Sequence, residues 1–237
     1  MKKTIFVGTT LLVTSAFLAI GAAIDEVKSA VKNLADKPNY SWTSTTQTAT
    51  GQGRAGGPTE GKTEKDGFTY LKMTRGDQTT EAVLKGEKVV VKTQEGAWQE
   101  PPQPGAGGGQ GGRGAFMGRM LRNFKAPAAQ ADELIKAAKE IKKEGDVYTC
   151  ELTEQGARQF LMFGGRGGAN QPEASNAKGS AKFWIKDGLL TKYEYRVQGT
   201  VTFNNNDVNI DRTTTVEVKD VGTTKLDIPA EAKQKLQ

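Results

Sequence analysis

The last third of the sequence leaves the chain little choice of architecture. Ala181, Phe183 and Ile185 occupy alternate positions, and Asp187–Gly188 follows as a hairpin turn signal. Tyr193, Tyr195, Val197, Gly199, Val201 and Phe203 then alternate with Lys192, Glu194, Arg196, Gln198, Thr200 and Thr202. Asn204 to Asp207 marks another turn. After it Val208, Ile210, Thr214, Val216 and Val218 alternate with polar residues, and Arg212 breaks that apolar face. A period of two with one dry and one wet side is the pattern of an antiparallel sheet covered on one face. Strands this long joined by tight turns predict a curved sheet.

Upstream, Tyr40 to Thr50 reads as a strand, Gly51 to Gly61 as a loop, and residues 63–93 as a meander of three strands, with Trp98 closing a short further one. Val147 to Leu152 is a strand as well. Ile24, Val27, Ala30, Val31 and Leu34 recur at helical spacing, which predicts a helix over 24–37 that Pro38 stops. Helices are also predicted over 115–124, from Pro127 to about Lys143 with Gly145 ending it, and over 153–163. The Gly-rich segments 101–114 and 164–179 read as loops. The middle helices carry an apolar stripe that needs cover, and the sheet has one apolar face. The expected fold is therefore α+β: a strongly curved antiparallel sheet, an incomplete β-barrel, with an N-terminal helix and mid-chain helices lying across its concave face as a lid.

The N-terminus sets the compartment. Lys2 and Lys3 precede an almost uncharged apolar run from Ile5 to Ile20, and Gly21, Ala22 and Ala23 follow it. This is the layout of a secretory signal peptide over 1–23, which leaves one domain over 24–237 and predicts an exported, periplasmic protein. The alternative is an uncleaved membrane anchor, but the run is short for a span of ~20 residues. No cysteine follows the run to accept an acyl group, and no stable membrane span is expected after cleavage. Cleavage removes two lysines and no acid, so the formal charge falls from +6 to +4. That is a mild surplus that names no partner.

Composition excludes much chemistry. Histidine is absent, which removes the usual general base and the commonest metal ligand together with any Ser-His-Asp or Cys-His arrangement. Cys150 is the single cysteine, alternating with Tyr148 and Leu152 as a small buried side chain does. Gly56 to Thr63 matches the phosphate-loop pattern formally, but a turn and a strand follow it where a helix is required. Gly107, Gly109 and Gly112 match a dinucleotide pattern that the local Gly/Gln composition nearly guarantees. Arg54, Arg113 and Arg166 beside glycines are too few to read as an RNA-binding segment. Asp207, Asn209 and Asp211 alternate on a wet strand face and lack a calcium-loop pattern. No cofactor, metal, nucleic-acid partner or catalytic residue is expected, and the chain reads as a non-enzyme.

Soft apolar residues are what remains. Met117, Met120, Leu121 and Phe124 share one face of the helix after the first Gly-rich segment, and Phe160 to Phe163 form a second patch before the other. Flexible apolar groups beside glycines suit a lid over a greasy guest. With the stripe and sheet positions behind them, the expected apolar lining is Met117, Met120, Leu121, Phe124, Leu134, Phe160, Phe163, Tyr195 and Val197.

Three segments in order resemble a family. Phe183-Trp184-Ile185-Lys186-Asp187-Gly188 opens a hairpin, Tyr193 to Phe203 is a long alternating strand, and Val216-Glu217-Val218-Lys219-Asp220-Val221-Gly222 leads towards Ile228-Pro229-Ala230-Glu231. The chain thereby resembles the outer-membrane lipoprotein carrier (LolA-like) superfamily, best over 181–231 and loosely over most of the chain beyond the leader. The resemblance implies an incomplete barrel under a helical lid and a lipid, an acyl chain or an acylated lipoprotein as partner. The expected function is non-enzymatic binding of such a partner in the cell envelope. The alternative is a structural or interaction protein of the envelope whose core is simply filled.

Overall fold

The computed structural model describes residues 15–49, 57–65, 67–102, 112–162, 173–203 and 206–237. Helix α1 (Ser15–Ala35) precedes strands β1 (Asn39–Thr48), β2 (Thr59–Glu64), β3 (Thr69–Arg75), β4 (Gln78–Lys85), β5 (Lys88–Lys92) and β6 (Trp98–Gln99). Helices α2 (Gly112–Arg122) and α3 (Pro127–Ala137) follow, then β7 (Ala138–Glu144), β8 (Val147–Leu152) and α4 (Glu154–Leu161). The chain ends with β9 (Glu173–Lys186), β10 (Leu189–Phe203), β11 (Asn206–Lys219) and α5 (Ala230–Lys235).

All eleven strands form one antiparallel sheet in the order β6-β5-β4-β3-β2-β1-β11-β10-β9-β8-β7. Two meanders, β1 to β6 and β7 to β11, are joined at the middle by β1 pairing with β11, from Ser41↔Lys219 to Thr48↔Arg212. The sheet curls without closing, because β6 and β7 are its two edges. This order dictates where the helices go. The chain leaves β6 at one edge and must begin β7 at the other, so α2 and α3 cross the full width of the sheet. Their apolar stripes then find its apolar concave face. The expected incomplete barrel with helices over one side is the observed fold.

On that face a single cluster joins α1 (Val27, Val31, Leu34), α3 (Ala131, Leu134, Ile135) and α4 (Ala157, Leu161) to Tyr40, Trp42, Phe183, Tyr193, Val197 and Val216 of the sheet. The opposite face of β4–β6 has its own smaller core, where Ile228, Ala232 and Leu236 cover Val83, Val90 and Trp98. Glu231 there accepts from the Trp98 backbone N–H at 3.2 Å, satisfying a donor on an edge strand. The other edge, β7, exposes Lys139, Lys142 and Lys143, charges that discourage pairing with another chain.

Five sequence expectations are corrected. The helix from Pro127 ends at Ala137, not near Lys143, and residues 138–144 are β7. Ala, Lys and Glu favour helix there, but the free edge of β8 offers a ladder of backbone bonds and the Ala137 carbonyl is taken by Thr153 N–H at 2.8 Å. Gly145 is accordingly a hairpin residue at φ +62°, not a helix cap. The loop expected over 164–179 gives way to β9 from Glu173, and the loop expected over 101–114 to α2 from Gly112. The loop expected up to Gly61 likewise ends earlier, because β2 begins at Thr59. The Asp187–Gly188 turn forms as expected, with both residues at positive φ (52° and 71°).

Candidate functional site

The candidate site is the layer between the concave face and its helical cover. The cover is uneven. Helices α1, α3 and α4 pack over β7–β10, whereas α2 reaches the other half of the sheet at β5 and, through the residues after it, at β1. Phe124, two residues beyond α2, stacks on Trp42 of β1 with ring centroids 5.6 Å apart and 14° between planes. Leu121 is buried, and Met117 is half-buried against the same core.

Several polar groups under the helices are tied off. The Tyr193 hydroxyl donates to Gln130 Oε1 at 2.7 Å, from β10 to α3. Trp42 Nε1 donates to Thr63 Oγ1 at 3.2 Å, and the Thr46 and Thr214 hydroxyls share a bond of 3.0 Å. Arg212, the charged break in the apolar face of β11, is buried and donates to the carbonyls of Phe160 and Leu161 (the latter at 3.2 Å), which end α4. A guanidinium at a helix C-terminus meets the negative end of the dipole as well as open carbonyls. Burial lowers its pKa to about 10, opposed by the nearby Tyr195. Burial pushes the Tyr40 phenol up to about 12 and raises Tyr193 and Tyr195. It pushes the Cys150 thiol up to about 11. None of these groups is poised for proton transfer near neutral pH.

The expected lining residues fall into two groups. Met117, Leu121 and Phe124 gather over Trp42's half of the face, with Met120 half-buried on the same helix. Leu134, Tyr195 and Val197 are buried in the β7–β10 half, and Phe160 lies 5.4 Å from the Tyr195 ring at 51°. Phe163 lies outside the described residues. The sequence reading did not single out Trp42, Gln130 or Tyr193. It noted Arg212 only as a break in pattern, which was the signal of its role.

Two clefts bounded by described residues lie outside this layer. One of about 370 Å³ sits between the end of α1 and the β9–β10 turn, lined by Asn33, Asp36, Lys37, Asp187, Gly188 and Leu189. The other, of about 260 Å³, lies on the convex side against Lys62, Tyr70, Glu81, Leu226, Asp227 and Pro229. The Asp207–Asp211 face is internally satisfied: Asp211 accepts from Arg196 at 2.6 and 2.8 Å, Asn209 from Thr200 and Asp207 from Thr202. Among the described residues no cluster of His, Cys, Asp and Glu could hold a metal, and no helix is long and apolar enough to cross a membrane.

No family model matches the chain, and neither does any curated protein sequence. Solved structures similar to it include the lipoprotein LppX of Mycobacterium tuberculosis (8% identity, 87% of this chain and 98% of that one, TM-score 0.48). LprF of Mycobacterium bovis is similar at 10% identity, with 90% and 98% covered and a TM-score of 0.49. A LolA superfamily protein of Nitrosomonas europaea is similar at 11% identity, with 88% and 95% covered and a TM-score of 0.30. These are likenesses of architecture, and the class this chain falls in rests on its own topology: an unclosed, curled antiparallel sheet with a helical cover. What the layer does is argued from this chain's residues.

Proposed function

We propose that this chain is an exported, non-enzymatic binding protein of the cell envelope, freed from a signal peptide over residues 1–23, that holds a lipid or the acyl chain of a lipoprotein between its sheet and its mid-chain helices. The observation that carries this reading is the uneven cover. Over β1–β5 the apolar face is sheltered by α2 and the residues after it, through Met117, Leu121 and Phe124, side chains that can re-pack around a guest. Over β7–β10 the cover is tied by Tyr193 to Gln130 and by Arg212 to α4. An entering acyl chain displaces α2 first and takes its place against Trp42, Leu71 and Leu84. Burial contributes roughly 0.8 kcal/mol per methylene, so a dozen methylenes offset the contacts α2 gives up. Leu134, Phe160, Tyr195 and Val197 complete the proposed lining deeper in the layer, Met120 lies on the outer side of α2, and Phe163 lies outside the described residues.

A second reading is favoured by a different observation. The described part of the concave face is packed by its own side chains, as in an envelope protein with a filled core and no small ligand. Native mass spectrometry of gently purified protein separates the two. Lipid adducts that diminish in Met117→Lys are expected on the first reading. Consistent absence of adducts, with no uptake of an added fluorescent fatty acid, leaves the second.

A further inference from the structure

We propose that the outward side of α2 is a docking surface for an anionic lipid bilayer. Two independent features meet on it. The first is apolar exposure where packing offers no reason for it: Phe116 is 52% exposed, and its helical neighbour Met120 is half-buried at the i+4 position. A lone exposed apolar residue means little on a protein surface. The second feature gives it meaning. From Pro101 to Ala131 the sequence contains no Asp or Glu, while Arg113, Arg119, Arg122 and Lys125 lie within it; Lys125 pairs with Glu133 and the Arg122 guanidinium turns towards Gly118, so Arg119 is the cation that this side presents. Elsewhere basic and acidic residues interleave along the strands. Arg119 is exposed one turn from Phe116, so cation and apolar ring point to the same side. The opposite side of the helix is committed to the protein. Gly118 leaves room for Pro101, whose side chain a Cβ there would meet at 2.9 Å, and Leu121 is buried. A short helix held by one side, with Arg119 and Phe116 on the other and no acid, fits a membrane surface whose phosphates face the cation and whose acyl boundary accepts the ring. This surface is distinct from the cargo layer, and docking is measurable on protein that carries no lipid.

The test reports position as well as binding, because the apolar leader can itself hold the chain to a vesicle. In the full chain carrying Cys150→Ala, an environment-sensitive fluorophore is attached at Phe116→Cys or, separately, at Val208→Cys, the other exposed large apolar position among the described residues. Vesicles of phosphatidylglycerol and phosphatidylcholine are compared with phosphatidylcholine alone. The probe at 116 is expected to shift to the blue and to be quenched by nitroxide-labelled lipid on the anionic vesicles, and the probe at 208 to stay in water. Arg119→Glu should weaken the response at 116 several-fold, as should 0.5 M salt, with the thermal melt unchanged. A probe at 116 that stays in water on vesicle-bound protein overturns the proposal. So does a response equal on neutral vesicles or indifferent to Arg119→Glu, and so does binding confined to an acidic protein partner. Lipid adducts lost or retained leave the docking result unaffected, so failure of the cargo reading is told apart from failure of this one.

Discussion

The ring of Phe124 lies nearly parallel to the indole of Trp42, 5.6 Å away, and fastens the end of α2 to the middle of the sheet. An offset aromatic pair contributes about 1 kcal/mol beyond the area it buries. Phe124 is half-buried, so Phe124→Ala is expected to cost about 2 kcal/mol of the helix's attachment, less than a fully buried ring. Hydrogen exchange should quicken in α2 while the amides of β9–β11 keep their protection, and Trp42 emission should shift to the red. Unchanged exchange in α2 would mean that other contacts hold the cover.

Trp42 is fixed from the other side by Gly61. A Cβ at position 61, built on the present backbone, overlaps the six-membered ring of the indole. The ring has little room to retreat, because it is buried and its Nε1 is bonded to Thr63 at 3.2 Å. Gly61→Ala therefore overpacks the core and should destabilise the fold by about 2 kcal/mol in denaturant titration, with a lower midpoint and an unchanged slope. A midpoint equal to that of the parent would show that the sheet relaxes around the methyl group.

Arg212 joins β11 to the last carbonyls of α4. Arg212→Met keeps much of the buried volume but leaves the Phe160 and Leu161 carbonyls without that donor, at about 1–3 kcal/mol. The loss should be local at first, with faster amide exchange over 154–161 and little change in α5. Arg212→Lys retains one charge without the fork and should fall between the two. If the Met variant protects α4 as well as the parent does, the guanidinium is not what fastens that helix.

Much of this architecture was legible because its signals are local. A strict alternation and an Asp-Gly turn specify β9 (from Ala181), β10 and β11 within a few residues of each other, and Met117, Leu121 and Phe124 declare one helix face by their spacing. What was not legible depends on partners distant in sequence. Residues 138–144 are composed like a helix, and only the waiting edge of β8 makes them a strand. Residues 173–179 are polar, small and Gly-bearing, and their strand character comes from β10 beside them. Likewise nothing near Phe124 announces Trp42, since the two meet only because β6 and β7 lie at opposite edges and the chain between them must cross the sheet.

The tyrosines under the helices set an alkaline limit to stability. The Tyr40 phenol, ordinarily near 10, is pushed up to about 12 by burial, and Tyr193 and Tyr195 move the same way. The folded protein holds these protons more tightly than the unfolded chain, so the stabilisation is full below pH 10 and is lost as the pH rises from 10 through 12. Cys150 acts in the same sense from its ordinary value up to about 11. Arg212 opposes them: its pKa is lowered to about 10, so its burial weighs less once it loses its proton in this range. Three phenols and a thiol outweigh one guanidinium, and the fold is expected to be lost between pH 10 and 12. Titration followed by absorbance at 295 nm and by near-ultraviolet circular dichroism should show the buried phenolates forming together with loss of the dichroic signal. Full ionisation of the tyrosines with the dichroism intact would mean that water already reaches the layer beneath the helices.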